Sequence, residues 1–221
     1  MNRTRRAFLA TGGLAVATVA GCLDLAIGDG VEFRAARAAV PESVLEEVGY
    51  DERERWTERH TETVEAVGQR REVTFVDRAV EYDRAVEVTG QRIQGAVFAA
   101  YATPKGEVLG RVLNPIEDAD DRAVAELVRD GEGLQRGYTE IGELDRREGY
   151  ETTILGAETT VGVYDAPVRI ADLPVEIDAT LHVSEPVDSD VDFVICVGGY
   201  PAFLDDRAAI ETLLEALEHP A

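Results

Sequence analysis

Lysine is almost missing from this chain of 221 residues: Lys105 stands alone, and 22 basic residues face 44 acidic ones for a net charge of −22. That balance excludes nucleic acid as a partner, because binding a phosphate backbone takes clustered Lys and Arg. The short basic run Gln69-Arg70-Arg71 is too small to reverse it. Serine is nearly as scarce. Ser43, Ser184 and Ser189 complete the inventory, and none stands in the Gly-x-Ser-x-Gly elbow of a serine nucleophile. The histidines His60, His182 and His219 lie far apart with no HxH or HxxxH spacing, so no histidine-built metal centre and no cofactor are expected. The acidic run from Asp188 to Asp192 begins like a calcium loop, but Phe193 and Gly199 stand where such a loop needs Gly and Glu. The glycine-rich stretch Asp130 to Gly137 carries no Walker lysine and follows a helix, so it reads as a turn. No apolar run reaches the roughly 20 residues of a confident membrane span.

What is present is concentrated first at the N-terminus. Arg3, Arg5 and Arg6 precede a small-residue apolar run from Ala7 to Ala20, and no acidic residue occurs before Asp24. This is the charge-then-apolar layout of a signal peptide. Within it, Thr4-Arg5-Arg6-Ala7-Phe8-Leu9 resembles a twin-arginine export motif, with Arg5 and Arg6 as the signal residues, and Val19-Ala20-Gly21-Cys22 resembles a lipobox. The resemblance implies cleavage before Cys22 and a lipid on its sulfur, so the partner of the N-terminus is the membrane and the location its outer face. A single acyl chain binds membranes only marginally, and a diacylglyceryl group would supply the second. With Cys22 consumed, Cys196 has no intramolecular disulfide partner. The expected division is a signal peptide over 1–21, a lipidated tether over 22–30 and one domain over 31–221.

The acidic, lysine-poor composition looks like that of a haloarchaeal proteome. At molar salt the Debye length falls to about 3 Å, which removes most of the self-repulsion that such a charge would otherwise impose. The charge therefore reads as a solvated, salt-adapted surface.

Three helices are predicted in the mature domain. Pro41 to Val48 has proline and acid in its first turn and Gly49 as a stop. A second helix starts near Asp120, presents Val124, Leu127 and Val128, and ends near Gly131. The third repeats Ile210, Leu213, Leu214 and Leu217 after an N-cap at Asp205. Between them, Val175 to Ser184 alternates strictly and reads as a half-solvated strand, with His182 on its polar side. Phe193 to Val197 and Ala96 to Tyr101 are apolar on both faces and read as central strands. Further strands are expected over Val31 to Ala39, Glu72 to Val88, Glu107 to Leu113 and Thr152 to Val163, with a bulge or turn between Phe75 and Val80. His219 is placed in the last turn of the third helix. Strands in runs favour an α+β fold, an antiparallel sheet covered by helices that include the C-terminal amphipathic one.

The ending from Phe193 to His219, a buried strand, a Gly-Gly-Tyr-Pro turn and a closing helix, resembles the ending of PsbP-like folds. From lipobox to closing helix, the layout resembles uncharacterised haloarchaeal lipoproteins classed as domains of unknown function. That resemblance implies a location and carries over no catalytic residue.

Cys196, mid-strand in apolar company, reads as a small hydrophobe. Trp56, the only tryptophan, sits in the charged stretch Asp51 to His60 and is the candidate partner contact if exposed. These readings favour a non-enzymatic, lipid-anchored accessory module with a membrane-protein partner. The alternative is a tethered solute-binding protein for a transporter, which needs a mostly apolar cleft with a few convergent polar groups. A hydrolase using two carboxylates comes third.

Overall fold

The structure, a computed structural model, describes residues 30–66, 69–88, 91–107, 112–131, 138–170 and 176–220. The export signal with Arg5 and Arg6, and the proposed lipidation site Cys22, lie outside the described residues. So does most of the glycine-rich stretch after Asp130.

Ten strands form one sheet: β1 (Gly30–Arg34), β2 (Asp51–Ala66), β3 (Gln69–Val88), β4 (Gln91–Pro104), β5 (Tyr138–Ile141), β6 (Asp145–Ile154), β7 (Ala157–Ile170), β8 (Glu176–Ser184), β9 (Val187–Ser189) and β10 (Asp192–Pro201). Strand β2 runs along one edge of β3, while β1 and β4 share the other edge end to end. Strand β10 pairs β4 on one side and both β8 and β9 on the other. Beyond β8 comes β7, whose far edge is shared by β5 and β6. Every pairing is antiparallel except β1 with β3.

The expected α+β fold is thereby corrected. The protein is mostly β, its sheet is mixed, and the described residues contain only three α-helices, α1 (Glu42–Val48), α2 (Asp121–Asp130) and α3 (Arg207–Glu215). The helices themselves fall where the periodicity put them, with Gly49 ending α1 in the left-handed region at φ 75° and Asp120 capping α2 through its side chain; the N-cap of α3 is Asp206 instead of the expected Asp205, and its side chain makes no capping bond. They are outnumbered because β2, a strand of 16 residues, carries acids, bases and threonines where a buried strand carries apolar residues. A charged edge strand is a device against unwanted pairing, and it hides the strand from a search for apolar alternation.

The helices also lie on both faces. Leu45 of α1 and Ile210, Leu213 and Leu214 of α3 pack with Val80, Tyr82, Phe98, Ala100, Val194 and Cys196. Val124, Ala125 and Val128 of α2 pack on the opposite face with Leu181, Val183, Ile195 and Val197. Alternate residues of β4 and β10 thus enter different cores, which is why both strands are apolar throughout. The Gly-Gly pair expected in a turn lies inside β10. A Cβ on Gly198 would stand 2.7 Å from Ile210, and one on Gly199 would stand 2.8 Å from the Tyr138 ring, so these glycines admit a layer to each face.

Three local expectations fail, the first two through burial on both faces. Strand β8 is half-solvated only at its start, and Thr180, His182 and Ser184 are all buried. No bulge interrupts β3 between Phe75 and Val80, where its pairing with β2 is continuous; Val73, Phe75 and Ala79 serve one face, Val76, Val80 and Tyr82 the other. Thr152 to Val163 is a hairpin, β6 to β7, turning through Leu155 and Gly156 at φ 53° and 81°. Of the strand expected over Glu107 to Leu113, Glu107, Val112 and Leu113 are irregular and the rest lies outside the described residues.

Candidate functional site

The face of β3 that carries Val73, Phe75 and Ala79 also carries Asp77, and this carboxylate is the least expected group in the molecule. It is 1% exposed and lies in the middle of a strand. Register fixes its neighbours: Glu58 of β2 stands directly opposite Asp77, His60 opposite Phe75, and Trp56 opposite Ala79. On the other side Tyr101 of β4 stands opposite Ala79. Cross-strand partners share a face, so these side chains converge.

The Tyr101 hydroxyl donates to Asp77 Oδ2 at 2.5 Å, and His60 Nδ1 lies 3.1 Å from the same oxygen. Among the described residues no group donates to Asp77 Oδ1, which is buried. Leaving a buried acceptor unmatched costs roughly 1–3 kcal/mol, more for a charged one. Burial, then the charge of Asp77, pushes the Tyr101 hydroxyl well above its ordinary range, so it remains a donor. The His60 ring stacks on Phe75 at 5.1 Å between centroids, and its side chain is 47% exposed.

Asp77, Tyr101 and His60 border a cleft of about 760 Å³. Its walls are apolar, formed by Ile116, Ala119, Ala123, Leu127 and Ile195. Leu127, assigned to the buried stripe of α2, is instead 51% exposed, and Ala125 takes the core position. The aliphatic surface of α2 continues past the core and into the cleft.

Two anchors keep the cleft open beneath α2. Asn114 caps the 3-10 turn Pro115–Asp118 through its side-chain oxygen, and its Nδ2 donates to Thr103 Oγ1 at 2.8 Å and the Pro104 carbonyl at 2.9 Å. This ties the covering segment to the end of β4. At the start of α2, Asp121 accepts from Tyr164 at 2.5 Å and from Arg146 Nε at 2.9 Å. Burial pushes this carboxyl up, but the Arg146 and Tyr164 bonds outweigh it and hold the group below the ordinary range. The first turn of α2 is pinned to the sheet, while its later residues Ala123, Glu126, Leu127 and Asp130 border the cleft.

The residues singled out from sequence are scattered. Trp56 is 7% exposed, within β2, and donates its indole N–H to Glu58 Oε1 at 3.2 Å. It offers little surface to a partner. Cys196 is buried, and burial pushes its thiol up to about 12, which fits the reading as a small hydrophobe. His182, placed by alternation on a solvated side, is buried between Tyr150 at 3.0 Å and Tyr200 at 3.1 Å. His219 lies beyond the end of α3, its side chain buried 3.1 Å from Asp192. The run Asp188 to Asp192 does not converge: Asp188 pairs with Lys105 at 2.5 Å, and Asp192 accepts from the Ala36 amide at 2.8 Å.

Sequence reasoning passed over Asp77, Tyr101 and Asn114. A signal for Asp77 was present, since the apparent change of alternation after Phe75 is where an acid replaces an apolar residue on a buried face.

Residues 37–218 match the family described as a domain of unknown function, DUF6517. No curated protein matches the chain. The match spans nearly all of the described fold, including every residue of the cleft, so this chain belongs to the DUF6517 family.

Proposed function

We propose that this protein is a lipid-tethered, extracytoplasmic binding module of a salt-adapted cell surface, and that it takes a small ligand in the cleft beneath α2. The observation that carries the reading is the cleft itself: apolar walls, a few convergent polar groups, and one buried acceptor without a donor at its edge. That combination is what the solute-binding alternative requires, and it moves that alternative ahead of a pure scaffold.

Tethering rests on the sequence motifs around Arg5, Arg6 and Cys22. The eight Cα-to-Cα steps from Cys22 to Gly30 reach at most about 29 Å when extended, so a lipid on Cys22 would hold the domain close to the membrane. A haloarchaeal-type host accords with the composition, and twin-arginine export would deliver the domain already folded. No serine or cysteine borders the cleft among the described residues, and the Thr103 hydroxyl is engaged by Asn114. Binding is therefore favoured over nucleophilic catalysis.

Both halves of the proposal are testable in cells at native salt. Wild type is expected in the membrane fraction and Cys22→Ala in the released fraction; equal partition of the two would overturn the tether. For the cleft, a library of small metabolites is screened by thermal shift against wild type and Ala123→Phe, which fills the cleft from α2. Ligands that raise the melting temperature of wild type alone support the reading, and ligands acting equally on both contradict it.

A further inference from the structure

The chemistry around the cleft specifies a class of ligand, and the inference rests on the reading that the cleft binds one. Besides Asp77, the cleft is bordered by the carboxylates of Glu58, Asp118, Glu126 and Asp130, and among its described lining residues His60 is the one basic side chain. Glu126 and Asp130 are already met from the outer side of α2 by Arg122 at 3.5 Å and Arg129 at 2.9 Å. Those two acids belong to the ordinary solvated surface of α2, so an acidic rim alone would mean little. Asp77 differs: it is buried, its Oδ2 is doubly served by Tyr101 and His60, and its Oδ1 has no donor.

We infer that the cleft takes an organic cation with an apolar body, its ammonium donating to Asp77 while the body lies along Ile116, Ala119 and Leu127. An anion would meet five carboxylates, Asp77, Glu58, Asp118, Glu126 and Asp130, against the single basic side chain His60 among the described lining residues. A neutral apolar molecule would fill the walls and leave Oδ1 unmatched, whereas an ammonium brings both the donor and the compensating charge. His60 is the neighbour with room to move, being half exposed and held by a stack and one contact at Oδ2, so its displacement opens the approach to the carboxylate. Glu58, directly across from Asp77 in the register, supplies the second acceptor.

The test uses probes of one shape and three charges: n-octylamine, 1-octanol and octanoate, titrated into the full-length mature protein at neutral pH and molar KCl. Binding is read by calorimetry and by the fluorescence of Trp56, the chain's single tryptophan, which touches Glu58. The amine is expected to bind about tenfold or more tightly than the alcohol, as a charge-assisted bond does over a neutral one, and octanoate weakest. Because molar salt screens exposed charges but hardly a buried one, the preference persists at high salt if Asp77 carries it. Asp77→Asn, nearly the same shape, brings the amine down to the level of the alcohol. Glu126→Gln, at the paired rim, leaves the preference unchanged and controls for surface charge. Equal binding of amine and alcohol by wild type overturns the cation inference while leaving the binding module standing. Binding of none of the three overturns both.

Discussion

The two faces of the sheet differ in how their central buried carboxylates, Asp206 and Asp77, are matched. On the face covered by α1 and α3, Tyr50 donates to Asp206 at 2.7 Å, Arg84 pairs with Asp206 at 2.5 Å and His182 is held by two tyrosines, while the buried group left without a partner among the described residues is a donor, Arg78 Nε. On the face covered by α2, the cover is pinned at Asn114 and Asp121, and between these anchors an acidic group is left half-served at the edge of an apolar cleft. A satisfied network rigidifies and specifies a core. An unsatisfied acceptor costs stability, and it persists where the arrangement serves something other than folding. The first face builds the fold, and the second carries the function proposed for it.

The comparison is broken hardest by a truncation on the closed face. Ile210 is fully buried against β10, and Ile210→Ala is expected to lower unfolding free energy by about 2–5 kcal/mol, measured by denaturant titration at constant salt. Ala123→Ser at the cleft wall should cost far less in the same assay.

Acid should act on the closed face next. Burial, then the charge of Arg207, pushes His182 down to about 4 from 6.5. The unfolded chain thus binds a proton that the folded one refuses between those values, and stability falls as the pH drops from about 6.5 towards 4. The loss attributable to this group is on the order of 3 kcal/mol. It is measured as the difference between the pH–stability curves of wild type and His182→Gln; parallel curves would remove His182 from the account.

Gly162 sharpens the contrast at the anchor of α2. A Cβ there would stand 1.9 Å from Asp121 Oδ2, so Gly162→Ala should break the Asp121, Arg146 and Tyr164 cluster and cost about 1–3 kcal/mol in thermal unfolding. It should also weaken ligand binding, because the cover of the cleft shifts. The smallest effect belongs to Leu127, whose side chain is largely exposed: Leu127→Ser should change stability by no more than about 0.5 kcal/mol yet weaken binding of an apolar ligand.

How much of this was legible in the sequence follows the physics of the signals. The helices were readable because an apolar stripe is a local feature, and Val124, Val128, Ile210, Leu213 and Leu214 are buried as their spacing implies, although α3 starts after Asp206 and not Asp205. Strands β4 and β10 were readable because burial on both faces leaves an unbroken apolar run. Strand β2 was not, since an edge strand needs no apolar residues to pair. The cleft was hidden for a related reason. Asp77, His60 and Tyr101 come from three strands, and only the register that sets Glu58 against Asp77 brings them together. Asp77 broke the pattern of its own strand, and a polar residue in a buried face reads as a bulge until its neighbours are known.

The central claim, that the α2 face holds a ligand and the α1/α3 face does not, is tested most directly by native mass spectrometry. Wild type and Ala123→Phe would be released from their own cell membranes under gentle conditions and weighed intact. The account predicts that wild type carries an added small mass, lost in Ala123→Phe and identified on dissociation as an amine. Wild type at the mass of the protein without an added ligand, or an adduct retained by Ala123→Phe, would contradict it.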